Sequence, residues 1–151
     1  MRVWAGYNAI DAGGRGCVIA LGNFDGVHAG HQVVIDRARQ LAQEMGAPLG
    51  VALFQPHPRR FFAPDAPPFR IMSARRRNAR LEALGVAHVF QLEFDAAMAQ
   101  MSPEIFVDTV LSAGLGVRGV VTGADFHFGH RRAGTTADLA RLGEARGLRT
   151  D

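Results

Sequence analysis

The sequence predicts an α/β domain built on a parallel, doubly wound sheet. Short apolar runs at residues 18–21, 49–54, 86–92 and 117–122 alternate with segments whose apolar positions recur every three or four residues. Several runs lead into stretches rich in glycine, proline, histidine and arginine. An open α/β sheet collects such polar groups at the carboxyl ends of its strands. A chain of 151 residues is long enough for one domain with a sizeable core.

Residues 1–15 are glycine-rich and weakly patterned, with room for a short edge strand. Residues 18–21 are apolar without interruption, as expected for a strand covered on both faces. There follows Gly22-Asn-Phe-Asp-Gly-Val-His-Ala-Gly-His31, in which Gly22 and Gly26 permit a sharp turn. A helix begins near His28, with Val34, Ala38, Leu41, Ala42 and Met45 on its inner face, and Gly46 and Pro48 stop it. His28 and His31 stand one turn apart on the same face of the helix start. There the helix offers backbone N–H donors and the positive end of its dipole. Two imidazoles and these donors make an anion site, with phosphate the fitting anion, and Gly30 between them leaves the backbone uncovered. The glycine spacing is not that of a Walker loop, and no Gly-Lys-Ser/Thr occurs.

The next strand ends in Gln55-Pro-His-Pro58, where two prolines break regular structure. His57 stands where a site residue would, or is a surface-loop histidine. Residues 59–68 form a proline-rich loop whose Phe61 and Phe62 either anchor it to the core or face a ligand. Ser73 is placed to cap a helix running to Leu84 and closed by Gly85. On it, Arg75, Arg76, Arg77 and Arg80 read as a solvated face. Residues 86–92 are the third strand, with His88 in a structural role. Ser102 and Pro103 open a further helix with Phe106, Val107, Val110 and Leu111 as its core stripe. After Gly116, the fourth strand at 117–122 runs into Gly123-Ala-Asp-Phe-His-Phe-Gly-His-Arg-Arg-Ala-Gly134, a loop able to stack a planar ring and bind an anion. Phe126 is expected in the core. Thr135 or Thr136 caps a last helix through Leu139 and Leu142 to Gly147. Residues 148–151 open a fifth strand, where the chain stops, as a fragment of a longer chain or one with a further tail would.

Composition excludes several classes. Hydrophobic content of 48% and charged content of 21% are ordinary for a globular domain. No apolar run is long enough to cross a bilayer, and no signal-peptide pattern is present. The single cysteine, Cys17, rules out an internal disulfide framework, suits a reducing cytoplasm and reads as a small core residue. Net charge is +3 and every basic residue is arginine, so any cationic clamp on phosphate must be a guanidinium. With acidic residues spread throughout and no aromatics interleaved in the arginine run, nucleic-acid binding is not expected. His127 and His130 repeat the spacing of His28 and His31, but without cysteine or glutamate partners at ligand spacing no metal site is expected.

The stretch from Gly22 to His31 resembles the signature of the bacterial FAD synthetase (FMN adenylyltransferase) module of the His-x-Gly-His nucleotidylyltransferase superfamily. The stretch from Gly123 to Gly134 resembles that family's Gly-x-Asp-Phe-x-Phe-Gly-x-x-Arg-x-Gly motif, and Pro56-His57-Pro58 has its counterpart too. The resemblance covers almost the whole chain. It implies a Rossmann-like doubly wound sheet of the nucleotidylyltransferase type and a cytoplasmic enzyme. By it, residues 1–151 form an FMN adenylyltransferase domain that is incomplete at its C-terminus. The riboflavin kinase domain to which the module is normally fused is absent, as is a later Ser/Thr-rich motif that contacts triphosphate.

The activity it implies is transfer of AMP from ATP to FMN, giving FAD and pyrophosphate. His28 and His31 would be the catalytic donors to phosphate oxygens. Gly22, Asn23, Phe24, Asp25, Gly30 and His57 would form the ATP site, with Asn23 and His57 orienting the triphosphate. Phe62, Asp125, Phe128 and Arg132 would serve the flavin substrate. Phe62 lies on a flap beside the flavin, Asp125 hydrogen-bonds substrate, Phe128 packs near the ring and Arg132 meets phosphate. Magnesium would ride on the ATP phosphates, with no metal site of the protein's own. Two other readings stay open: a nucleotidylyltransferase acting on a different phosphate substrate, or a flavin- or nucleotide-binding module without turnover.

Overall fold

The computed structural model describes residues 1–22, 24, 29–55, 62 and 73–151. Its centre is β2 (Val18–Leu21), whose four residues are all buried, as its unbroken apolar run requires. β2 pairs in parallel with β3 (Leu49–Gln55) on one side and β5 (Gly119–Val121) on the other, so Ala20 lies between Val51 and Val121. Outward from β3 follow β4 (His88–Glu93) and then β1 (Arg2–Ala5), and beyond β5 lies β6 (Arg149–Thr150). The six strands thus run in the order β1-β4-β3-β2-β5-β6, all parallel where they pair. The predicted edge strand exists, and the predicted fifth strand is β6, the last of six.

Side-chain alternation splits the core into two layers. Val18, Ala20, Val51, Leu53 and Val89 face one side, where α1 (Ala29–Met45) contributes Ile35, Ala38, Leu41 and Ala42 and α2 (Ala74–Ala83) contributes Leu81. Ile19, Leu21, Ala52, Phe90, Leu92 and Val120 face the other. That side is covered by the short α3 (Ala96–Ala99), by α4 (Pro103–Ile105) with the π-helix continuing it (Phe106–Gly114), and by α5 (Thr136–Glu144). Helices on both faces of a parallel sheet are the doubly wound architecture that the alternating pattern predicts.

The helix starts follow the predicted capping chemistry. Ser73 accepts from the Arg76 amide at 3.2 Å, and Ser102 from the Ile105 amide at 3.2 Å with Pro103 at the first helical position. Thr135 caps α5 in a reciprocal box: its hydroxyl accepts from the Asp138 amide at 3.2 Å, and the Asp138 carboxylate accepts from the Thr135 amide at 3.0 Å. Those bonds, led by the Thr135 amide, hold the Asp138 carboxyl below its usual range.

Four details differ from the sequence expectation. β4 starts at His88 rather than residue 86, and β5 spans 119–121 rather than 117–122. The helix after Pro103 widens to i→i+5 bonding, with the Leu115 amide donating to the Val110 carbonyl at 2.8 Å. Phe106, Val107, Val110 and Leu111 all reach the core from it, and the Arg15 guanidinium donates to its last carbonyls, Ala113 and Gly114, at 3.1 and 3.0 Å. α3, only four residues long, escapes a periodicity search. Finally, the arginines of α2 are not one solvated face. Arg75, Arg76 and Arg80 are exposed, but Arg77 is buried, with Nε donating to Asn78 Oδ1 at 3.2 Å.

His88 is structural: its Nδ1 accepts from Trp4 Nε1 at 3.2 Å. Burial, then the charges of Arg2 and the N-terminus, lower its pKa and keep it neutral as an acceptor. Cys17 is fully buried, and burial pushes its thiol from an ordinary 9.0 up to about 11. The folded state therefore holds its proton where the unfolded state loses it. Stability from this group is complete below pH 9 and declines as pH rises toward 11. Urea midpoints measured across that range should fall more steeply for the wild-type chain than for Cys17→Ala.

Candidate active site at the sheet's carboxyl edge

The order of the sheet fixes where a ligand can sit. From β2 the chain steps outward through β3 to β4, then returns to the other side of β2 as β5. The reversal falls between β2 and β5, and open α/β sheets bind ligands in the crevice outside the strand ends at such a point. Both motif-bearing loops leave from these two strands, residues 22–28 after β2 and residues 122–135 after β5.

The first loop delivers the chain to the N-terminus of α1, the positive end of a 17-residue helix. His31 lies in its first turn, half-buried, with its ring edge-on to Phe24 at 5.2 Å. Gly30 is exposed at the same end. Phe24 is 2% exposed and belongs to the core layer beneath α1, and its ring covers Gly22 so closely that a Cβ there would lie 3.3 Å from it. Its side chain thus belongs to the core rather than to the surface. Asn23, Asp25, His28 and His57 lie outside the described residues.

The second loop is pinned on three sides. Phe128 and Gly134 exchange two backbone hydrogen bonds, at 3.1 and 2.8 Å, and the His130 amide donates to the Met101 carbonyl at 2.7 Å. The Phe128 ring lies over Gly134, where a Cβ would stand 2.8 Å from ring carbons, so only glycine fits. That ring is 5% exposed and meets Phe106 at 5.5 Å and Phe126 at 6.0 Å. The exposure expected of the two phenylalanines is therefore reversed: Phe128 takes the buried place and Phe126 the half-buried one. Asp125 and Arg132 are exposed. His127 Nδ1 lies 2.8 Å from the Asp125 carbonyl oxygen. A carbonyl only accepts, so that nitrogen carries the proton, and the Arg132 guanidinium 3.4 Å away is a neighbour rather than a second bond.

Both loops store backbone strain. Among the described residues, the non-glycine positions with left-handed φ are Phe24 at 50°, Arg131 at 56° and Arg132 at 56°. All three sit in the two loops flanking the reversal. Each such residue costs about 1–2 kcal/mol, and strain of this kind persists where surrounding structure imposes it, most often at functional sites.

A cavity of about 330 Å³ opens beside the second loop, lined by Phe62, Ala96, Ala99, Gln100, His130 and Arg131. Its volume falls within the roughly 300–1,000 Å³ of small-molecule sites, and its lining is almost wholly apolar. Phe62 is 69% exposed, so it does not anchor its loop in the core; its ring meets Phe94 edge-on at 5.8 Å. The cavity brings Phe62 together with His130 and Arg131 of the second loop, and its lining does not include Phe128 or Arg132. Sequence reasoning missed these two and the residues from α3. The adjacent arginines and the Asp95 cap, which accepts from the Met98 amide at 2.8 Å, were the available signals. Among the described residues, no three histidine, cysteine, aspartate or glutamate side chains gather as a metal-binding set, and no helix is long and apolar enough to cross a membrane.

The buried place of Phe128 sets an expectation. Phe128→Ala should cost about 3–5 kcal/mol in urea unfolding, as for a core aromatic. Phe126→Ala should cost less than half as much.

Comparison with known proteins agrees with this architecture. The family model described as FAD synthetase matches residues 11–151. A bifunctional riboflavin kinase/FMN adenylyltransferase from Pseudomonas fluorescens is 40% identical over 148 residues, 98% of this chain and 47% of that protein. Proteins of the same description from Escherichia coli (strain K12) and Bacillus subtilis are 34% and 39% identical, covering 91% and 78% of this chain and 44% and 37% of their own lengths. The chain thus spans under half the length of these curated relatives. A crystal structure of a protein described as a macrolide-efflux protein from Streptococcus pneumoniae superposes with a TM-score of 0.82 at 24% identity, over 98% of this chain and 48% of that one. That likeness concerns the fold. Sequence match and sheet order together place the chain in the FAD synthetase family.

Proposed function

We propose that this chain transfers the adenylyl group of ATP to FMN, forming FAD and releasing pyrophosphate, in the cytoplasm. The observation that carries this reading is the pair of strained loops flanking the β2/β5 reversal, one leading to the positive end of α1 and the other bearing exposed arginine. A phosphate oxygen of FMN attacks the α-phosphorus of ATP. The bond from that phosphorus to the bridging oxygen breaks, and pyrophosphate leaves with the electron pair. Such a reaction asks the protein for alignment and charge stabilisation rather than covalent chemistry.

In this reading His31 and His28 donate to phosphate oxygens as charge develops. The α1 N-terminus adds its dipole, the exposed Gly30 lets the triphosphate approach the backbone, and Gly22 makes room for the Phe24 ring. Asn23 and His57 orient the triphosphate and Asp25 supports the turn, while Phe24 holds that turn from below. Arg132 meets phosphate, Asp125 accepts a hydrogen bond from the flavin substrate and Phe62 covers the ring. Phe128 serves that site from beneath, by fixing the loop that carries them. Magnesium bound to the ATP phosphates would neutralise their charge. A fused riboflavin kinase domain, as the relatives' names describe, would supply FMN.

Incubation of the purified chain with FMN and Mg-ATP, followed by chromatography, should yield FAD. His31→Ala and His28→Ala should each lower the rate on the order of a hundredfold, the effect of losing one transition-state donor. A chain that binds FMN and ATP yet forms no FAD would make this a binding module and overturn the proposed transfer.

A further inference from the structure

We propose that Gln55, the last residue of β3, binds phosphate, its side-chain amide donating to a phosphate oxygen of a substrate; this rests on the adenylyl-transfer reading above. β3 outruns β2. Their pairing ends at Leu21 with Ala52, and the Gly22 amide still reaches the Ala52 carbonyl at 3.2 Å. Among the described residues, Leu53, Phe54 and Gln55 then pair with β4 alone. On the β2 side these three stand where the chain has left the sheet for α1. The end of β3 is thus a wall of the crevice above β2. Glu93, the register partner of Gln55, lies on the side away from β2.

Alternation sets the face on which the side chain stands. Val51 and Leu53 belong to the layer that α1 covers, whereas Ala52 and Phe54 pack in the other. Gln55 therefore shares the sheet face of α1, whose first turn carries Gly30 and His31. Its amide is poorly provided for as structure. Oε1 is sealed from solvent and, among the described residues, has no hydrogen-bond partner. A buried acceptor without a donor keeps its full desolvation cost, and a leucine of similar size would fill the place without it. The residue is only half-buried, so Nε2 is the polar atom left to the outside. It carries two donors and no negative charge, which suits an anion. The positive end of α1, on the same face and at the same edge of the sheet, suits that ligand too. Held this way, a phosphate meets donors from β3 as well as from α1.

Calorimetric titration of the purified chain with Mg-ATP and with FMN tests the assignment, with adenosine and riboflavin as counterparts that lack phosphate. Gln55→Leu nearly keeps the size of the side chain and removes both polar atoms. Because the orphaned oxygen goes with them, this variant should melt at or above the wild-type temperature. It should nevertheless bind Mg-ATP, FMN or both about tenfold more weakly, the effect of losing a hydrogen bond to a charged group. Adenosine and riboflavin should bind wild type and variant alike. The substrate that weakens identifies the phosphate that Gln55 holds. Gln55→Glu, of the same shape but negatively charged, should weaken that substrate further. If Gln55→Leu lowers the melting temperature and both phosphate-bearing substrates bind as before, Gln55 is structural and only this inference fails. Equal weakening of adenosine or riboflavin would put Gln55 on a sugar or a ring and overturn it as well. A wild-type chain that binds neither Mg-ATP nor FMN overturns the adenylyl-transfer reading, and this one with it.

Discussion

The pairing of β2 with a neighbour on each side is the constraint on which the rest of the molecule depends. Its residues have no solvent-facing side, so both helical layers must exist for the strand to be stable at all. Every strand also runs the same way, which brings all carboxyl ends to one edge of the sheet. The site is thus a consequence of topology before it is one of side-chain chemistry: whatever follows β2 and β5 must meet above their ends.

Topology alone leaves the second loop free to collapse, and an aromatic ring prevents it. Phe128 sits beneath that loop, while Phe24, just after β2, packs in the other core layer. The cost of the left-handed residues nearby is met from that packing. A loop anchored in this way presents its polar groups with little freedom left to lose when a ligand arrives. Rigid aromatic support under polar loops recurs in Phe94, which holds the exposed ring of Phe62 through edge-on contact.

Much of this could be read from the chain itself. The unbroken apolar runs gave the inner strands because burial on both faces leaves no other composition possible. Ser73, Ser102 and Thr135 announced their helices because a cap is a local hydrogen bond, with partners only three residues away. Long-range choices were harder to see. Whether Phe126 or Phe128 turns inward is decided by the π-helix, which lies outside the motif, and by Gly134, whose place in the motif does not say which ring lies over it. Arg77 looked like its solvated neighbours because helical position, not composition, sends it inward. α3 was too short for periodicity, yet it lines the cavity. Family motifs marked the loops, whereas the wall facing them came from a segment with no motif at all.

The ring of Phe128 belongs to the core and to the loop at once. Proteins that separate these duties can evolve binding surfaces while the fold stays untouched. Here the two are soldered at one residue pair, so a substitution at Phe128 or Gly134 has no neutral route through which to drift. Diversification around this loop must instead proceed through exposed positions outside the core, such as Ala96 and Gln100 beside it.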